Sequence, residues 1–186
     1  GVPGTVGGAV VGNAGAYGSS ISDFIREVRF FYGLEIRTLD NSGCEFRYRS
    51  SIFKHHKGWV ILSAIFEFPT GDATELAARA AGILAVRNAK YPPDMRCAGS
   101  IFKNLLLAEL PERVREMLTA GVVKGGKVPA AWFLEVSGVK GMRSGGIHVA
   151  DYHANLIYNA GGGTARELRQ VIGELKRRVR ERFGIE

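Results

Sequence analysis

Seven glycines crowd the first eighteen residues, GVPGTVGGAVVGNAGAYG, at Gly1, Gly4, Gly7, Gly8, Gly12, Gly15 and Gly18. Between them stand small or apolar residues, with Asn13 and Tyr17. Glycine inside a helix or strand costs up to about 1 kcal/mol relative to alanine. A run this dense therefore marks backbone lying close against something, or repeated turns through positive φ. The spacing is neither G-x-G-x-x-G nor G-x-x-x-x-G-K-[ST], which sets aside the dinucleotide fingerprint and the phosphate-cradling loop. Gly4-x-x-x-Gly8 and Gly8-x-x-x-Gly12 imitate a membrane dimer face, but the apolar stretch is too short and too glycine-rich to span a bilayer. On the residues alone two readings stand: a close-approach loop facing a ligand, and a tight structural loop.

The remainder is that of a globular protein. Hydrophobic residues make up 46% and charged residues 23% of 186, enough for one ordinary domain or two small ones. The start at Gly1 has no basic leader region, and the longest apolar run, Trp59 to Phe68, is strand-sized and broken by Ser63 and Glu67. A cytoplasmic chain with two free thiols, Cys44 and Cys97, is expected, since neither has metal or redox spacing. The net charge is +7. The basic residues from Arg166 to Arg182 share a predicted helix with Glu167, Glu174 and Glu181, a solvated face. The rest of the excess suits a polyanion such as a nucleotide or diphosphate. Charge alone leaves nucleic acid open, but no RNP-type, KH or zinc-finger pattern accompanies it, and no nucleic-acid partner is expected.

Taken in order, Ser22-Asp23 caps a turn, and Arg26 to Tyr32 and Leu34 to Leu39 alternate as two strands about Gly33. Asn41-Ser42-Gly43 reads as a turn, and Trp59 to Phe68 as the clearest strand. At Pro69-Thr70-Gly71 the pattern changes. Asp72 with Glu75 resembles a capping box, and Leu76, Ala80, Ile83, Leu84 and Arg87 follow helical spacing until Pro92-Pro93. Arg96 to Asn104, RCAGSIFKN, reads as a loop. Helices are predicted from Pro111 through Leu118 and from Pro129 to Val136, with a basic glycine loop, Gly121 to Lys127, between them. Gly146 to Ala150 and Asn155 to Asn159 form a predicted strand pair. Thr164-x-x-Glu167 caps a last helix whose apolar face is Leu168, Val171, Ile172, Leu175 and Val179. Strands early and helices late give an α+β fold in two pieces, residues 1–70 and 71–186.

Candidate chemistry is dispersed. Tyr48-Arg49-Ser50-Ser51 puts a planar cation beside hydroxyls, suited to a carboxylate or enol; an arginine in a strand more often forms a surface ion pair. Gly99-Ser100 presents a hydroxyl among small residues, without the G-x-S-x-G elbow of a serine hydrolase. His55, His56, His148 and His153 lack zinc-like spacing, and no metal is assigned. Lys90, Lys103 and Asn104 suit a phosphate, although lysines near turns are usually only solvated. Paired carboxylates near these loops are absent, against a glycosidase.

Four stretches in order, GVPGTVGGAVVGNAGAYG, FRYRSSIFK, RCAGSIFKN and DYHANLIYNAGGGTA, resemble the UDP-N-acetylenolpyruvoylglucosamine reductase (MurB) family, and AAWFLEVSGVKGMRSGG resembles its G-(L/V)-K-G segment. The resemblance implies a cytoplasmic oxidoreductase and flavoprotein of peptidoglycan synthesis, hence of cell wall biogenesis, cell shape and division. Such an enzyme passes hydride from NADPH through FAD to the enolpyruvyl C3 of a UDP-sugar. A proton then adds at C2, giving UDP-N-acetylmuramate. By the same resemblance Ser100 is the proton donor and Arg49 stabilises enolate-like charge. Val2, Gly7, Gly8, Val11, Gly15 and Ile61 line the FAD. Tyr48, Lys90 and Asn104 contact the UDP-sugar. The implied architecture is the C-terminal half of an FAD-binding (PCMH/MurB-like) α+β domain, residues 1–70, and a small α+β substrate-binding domain, residues 71–186, working as a monomer without a membrane.

The chain departs from the family pattern in four places. Phe183-Gly184-Ile185 is followed by Glu186 and not by the family's later glutamate. No G-G-G-S-N-type loop precedes the glycine run, so truncation at both ends is expected. Leu105 stands where F-K-N-P has proline. Lys57 to Arg87 is short and lacks a tyrosine-bearing insertion, as in the type II members. The alternative weighed beside the reductase is a non-catalytic basic module binding a nucleotide-sugar or nucleic acid.

Overall fold

A computed structural model describes residues 4–186, and Val2 lies outside the described residues. The chain mixes helices and short antiparallel sheets, an α+β fold, in two compact units, Gly1–Val86 and Arg87–Glu186.

In the first unit the glycine run contains a helix, which corrects the expected loop. Helix α1, Val6–Val11, starts at Thr5, whose Oγ1 accepts the Gly8 N–H at 3.1 Å. Its apolar residues recur so that Val10 is fully buried. A satisfied cap and a buried valine outweigh the helix-breaking tendency of Gly7 and Gly8. A hairpin of β1 (Gly15–Ala16) and β2 (Ser19–Ser20) follows, and Ser20 and Asp23 form a capping box on the next turn. Strands β3 (Ile25–Tyr32) and β4 (Glu35–Asp40) pair about Gly33 as predicted. A short helix α2 (Ile52–His55) leads to β5 (Val60–Phe66), giving the sheet order β4-β3-β5. Val10, Ile25, Val28, Phe30, Cys44 and Phe53 make its core, with Trp59 stacked on Phe30 at 4.6 Å.

The predicted helix after Pro69-Thr70-Gly71 is α3, Ala73–Lys90, with Asp72 Oδ1 accepting the Glu75 N–H at 2.8 Å. None of its residues is buried, and the division between the units falls within it.

In the second unit RCAGSIFKN is not all loop: Cys97–Ser100 is a strand, β6. Its partner β11 lies more than fifty residues downstream, so nothing local announces the pairing. Strand β7 (Leu105–Leu106) comes next. The helix predicted through Leu118 is shorter, α4 (Glu112–Glu116), capped by Pro111. Strand β8 (Lys127–Val128) pairs with β7, and α5 (Ala130–Val136) follows Pro129. Strand β9 (Arg143–Ser144) went unread in the sequence; β10 (Ile147–Ala150) and β11 (His153–Asn159) are the expected pair. Together they form a sheet of order β6-β11-β10-β9. The last helix, α6 (Ala165–Phe183), begins at the predicted box: Thr164 Oγ1 accepts the Glu167 N–H while Glu167 accepts from Thr164. It buries Val171, Leu175, Val179 and Phe183 against Phe133, Leu134, Ile147 and Ile157. At Gly146 two backbones cross so closely that a Cβ there would stand 2.3 Å from the Gly161 carbonyl oxygen and 2.8 Å from Gly163 Cα.

Candidate functional site

In the first unit the glycine run and the Tyr48-Arg49-Ser50-Ser51 segment are built into one another. Asn13, buried at the end of α1, donates from Nδ2 to the Arg47 carbonyl at 3.0 Å. Ser51 Oγ donates to the Val11 carbonyl at 2.9 Å. Arg49 sits between these anchors with φ of +56°, a left-handed conformation costly for any residue with a Cβ. Its guanidinium donates to the carbonyl oxygens of Asn13 and Gly15. Among the described residues no carboxylate pairs with half-buried Arg49, and its polar supports are these carbonyl oxygens. The Tyr48 ring lies 5.2 Å from the guanidinium carbon.

The expected flavin-lining residues divide on steric grounds. A Cβ on Gly15 would meet the Ser19 carbonyl oxygen at 2.5 Å, so the β1–β2 hairpin alone requires glycine there. Gly7 is different: its φ is not positive, and a Cβ would meet only Ile61 Cβ at an ordinary 3.8 Å. At Gly8 the sole near contact is the Thr5 hydroxyl at 3.2 Å. The fold's own packing therefore leaves Gly7 unexplained, and bare backbone there beside half-buried Ile61 offers a flat surface. Val11 is half-buried against the core.

In the second unit Ser100 ends β6, opposite Leu156 of β11. Its Oγ lies 3.2 Å from the Tyr91 hydroxyl. The segment behind it is held by Asn155, a buried side chain that bonds both backbone groups of Phe102. Neither Tyr91 nor Asn155 was picked out in the sequence as a contributor to the site. Lys90 closes α3, and its carbonyl accepts from the Tyr152 hydroxyl at 3.0 Å. Asn104 Oδ1 accepts the Ala130 N–H at 3.2 Å, steadying the start of α5.

The histidines have ordinary partners. His55 Nε2 lies 3.2 Å from Ser50 Oγ, His56 stacks on Trp59 at 4.1 Å, and His148 meets the Tyr158 edge. Burial, with help from the Lys90 charge, holds the His153 imidazole below its ordinary pKa. Burial pushes the Cys44 thiol up to about 11. Among the described residues no group of three His, Cys, Asp or Glu is arranged to hold a metal ion, and no helix is long and apolar enough to cross a membrane.

The profile of the UDP-N-acetylenolpyruvoylglucosamine reductase C-terminal domain matches residues 91–186. A UDP-N-acetylenolpyruvoylglucosamine reductase of Solibacter usitatus is 65% identical over 186 residues, the whole of this chain and 60% of that protein. The reductase of Pseudothermotoga lettingae is 34% identical, again over the whole chain and 58% of the relative. Among solved structures, the reductase (MurB) of Thermus caldophilus superposes with a TM-score of 0.74 at 26% identity, over all of this chain and 59% of that one. The chain thus spans somewhat under two thirds of the length of the relatives it matches. On the ordered motifs, the matched C-terminal domain and the identity along the whole of this chain, the chain belongs to the UDP-N-acetylenolpyruvoylglucosamine reductase family.

Proposed function

We propose that this chain supplies flavin-facing and substrate-binding parts of a cytoplasmic, monomeric FAD-dependent oxidoreductase. The reaction is the NADPH-dependent reduction of UDP-N-acetylglucosamine enolpyruvate to UDP-N-acetylmuramate in peptidoglycan synthesis. Residues 1–70 are the end of the FAD-binding domain and residues 71–186 the substrate-binding domain. The observation that carries this reading is Arg49, a cation with a left-handed backbone whose guanidinium donates to two carbonyls and faces no carboxylate among the described residues. Strain of this kind persists where the surroundings over-determine it and where function uses it.

FAD, when bound, relays hydride from NADPH to the enolpyruvyl double bond. The residues present fit such a group: Gly7 offers bare backbone that internal packing does not demand, next to Ile61. Arg49 stabilises the negative charge that develops on the substrate carboxylate and enolate, a preorganised electrostatic role. Ser100 gives the proton that completes reduction at C2. Lys90, Tyr48 and Asn104 hold the UDP-sugar, and Asn104 Oδ1 also accepts the Ala130 N–H at the start of α5.

The reading as a nucleic-acid module is weakened by the last helix. There Arg177 pairs with Glu174 and Glu181, Arg178 with Glu174, and Lys176 and Arg180 with Glu186. Charges neutralised in this way are not a free basic stripe.

The test is NADPH oxidation by the flavin-loaded protein in the presence of the enolpyruvyl sugar. Sugar-dependent oxidation is expected, and a protein that neither retains flavin nor oxidises NADPH with the sugar would sink the proposal. Ser100→Ala is expected to leave flavin reduction by NADPH within about twofold and to lower product formation by about 10² to 10⁴. Equal loss of both half-reactions would remove the proton-donor role.

A further inference from the structure

Tyr91 follows the last residue of α3, and two contacts of its ring and one of the preceding peptide fix it. The Tyr152 hydroxyl bonds the Lys90 carbonyl at 3.0 Å, tying the peptide before Tyr91 to the β10–β11 turn. The Arg87 guanidinium lies 5.1 Å and the Lys90 ammonium 5.4 Å from the centre of the ring, within cation–π range. The phenolic oxygen then stands 3.2 Å from Ser100 Oγ. The ring is half-buried while Ser100 is exposed, so the phenol backs the serine from the protein side.

We infer that Tyr91 positions the Ser100 hydroxyl and replaces its proton, an assignment that rests on reading Ser100 as the proton donor. A serine hydroxyl carries one proton on a free rotor. When Oγ accepts the Tyr91 O–H, that single proton is turned away from Tyr91, toward the exposed side. In the transfer the Ser100 O–H bond breaks and a C–H bond forms at the substrate C2. The Tyr91 proton passes to Ser100 Oγ, and the tyrosinate takes a proton from water, leaving hydroxide to the solvent. One proton moves from solvent to carbon, and no oxidation state changes in the relay. Replacement matters because a serine alkoxide is a far stronger base than a tyrosinate, whose parent phenol ionises at about 10. A phenol that returns the proton in the same step spares the serine from ever carrying the alkoxide charge, which is the most basic species in the relay.

Two measurements test the assignment. In the chain labelled with carbon-13 at tyrosine Cζ, Ser100→Ala is expected to shift the Tyr91 resonance and leave those of Tyr17, Tyr32 and Tyr48 in place. An unmoved Tyr91 signal would overturn the hydrogen bond. In the flavin-loaded protein, Tyr91→Phe is expected to slow reoxidation by the enolpyruvyl sugar at least about tenfold and to change its solvent deuterium isotope effect. Flavin reduction by NADPH should stay within about twofold. Unchanged reoxidation, or equal slowing of both half-reactions, would overturn the relay. If the wild type itself fails to reduce the sugar while the carbon-13 coupling persists, the reading of Ser100 falls and takes the relay with it.

Discussion

The side-chain amide of Asn155 grips the backbone of Phe102 at both ends: Oδ1 accepts the Phe102 N–H and Nδ2 donates to the Phe102 carbonyl, each at 2.8 Å. Asn155 is 2% exposed, so the side chain that makes both bonds is itself shut off from water. Asn155→Leu would leave two half-buried backbone groups of Phe102 without their partner, with an expected loss of about 2–4 kcal/mol. Chemical denaturation of the chain reads this directly. A loss under about 1 kcal/mol would mean that the segment after Ser100 is held by something else.

The glycine run offers a paired test. Gly15→Ala forces a methyl group to within 2.5 Å of the Ser19 carbonyl oxygen and is expected to destabilise the chain by about 1–3 kcal/mol. Gly7→Ala meets no such obstacle and is expected to stabilise α1 by about 0.5–1 kcal/mol while weakening flavin binding. Thermal unfolding of the two variants, with flavin titration of the second, separates a glycine kept for the fold from one kept for a ligand. Flavin affinity unaffected by Gly7→Ala would remove that residue from the cofactor surface.

Arg49→Lys keeps the charge but loses the planar fork that reaches both the Asn13 and Gly15 carbonyls. Turnover is expected to fall about 100-fold, as when one preorganised donor is lost, with unfolding free energy changed by no more than about 1 kcal/mol. Steady-state kinetics beside a denaturation curve distinguish this from general destabilisation. Near-normal turnover would return Arg49 to the surface-residue role that its type more commonly has.

His153 makes stability depend on pH. Its folded pKa is depressed by burial and then by Lys90, so the unfolded chain takes up the proton first as pH falls. Its contribution is complete above the ordinary value of about 6.5 and is lost as pH falls toward the folded value. His153→Gln is expected to flatten the fall in stability below pH 7. Parallel pH profiles for the two proteins would show that His153 protonates freely in the fold.

Local signals in the sequence translated well into structure. The Thr164–Glu167 box, the alternation flanking Gly33 and the stop at Pro92-Pro93 all rest on neighbours within a few residues, and each element formed close to its predicted bounds. Two misreadings have different origins. Counting glycines hid the Thr5 cap and the burial of Val10, which make α1 a helix. Strand β6 depends on β11, so its short CAGS sequence carries no periodicity of its own. The candidate site was legible only in part for the same reason. Arg49 and Ser100 could be singled out by residue type and motif, whereas Tyr91 and Asn155 acquire a role only through partners that folding delivers, Ser100 and Phe102.

The crossing at Gly146 bears on how this sequence can drift. With the Gly161 carbonyl and Gly163 Cα occupying the space of any side chain at 146, substitutions in these two segments are coupled. A larger residue on one strand of the crossing becomes tolerable only if the other strand retreats, and that retreat would drag the Thr164 cap and the start of α6 with it. Mutational scans should accordingly find strong epistasis between Gly146 and the Gly161–Gly163 turn.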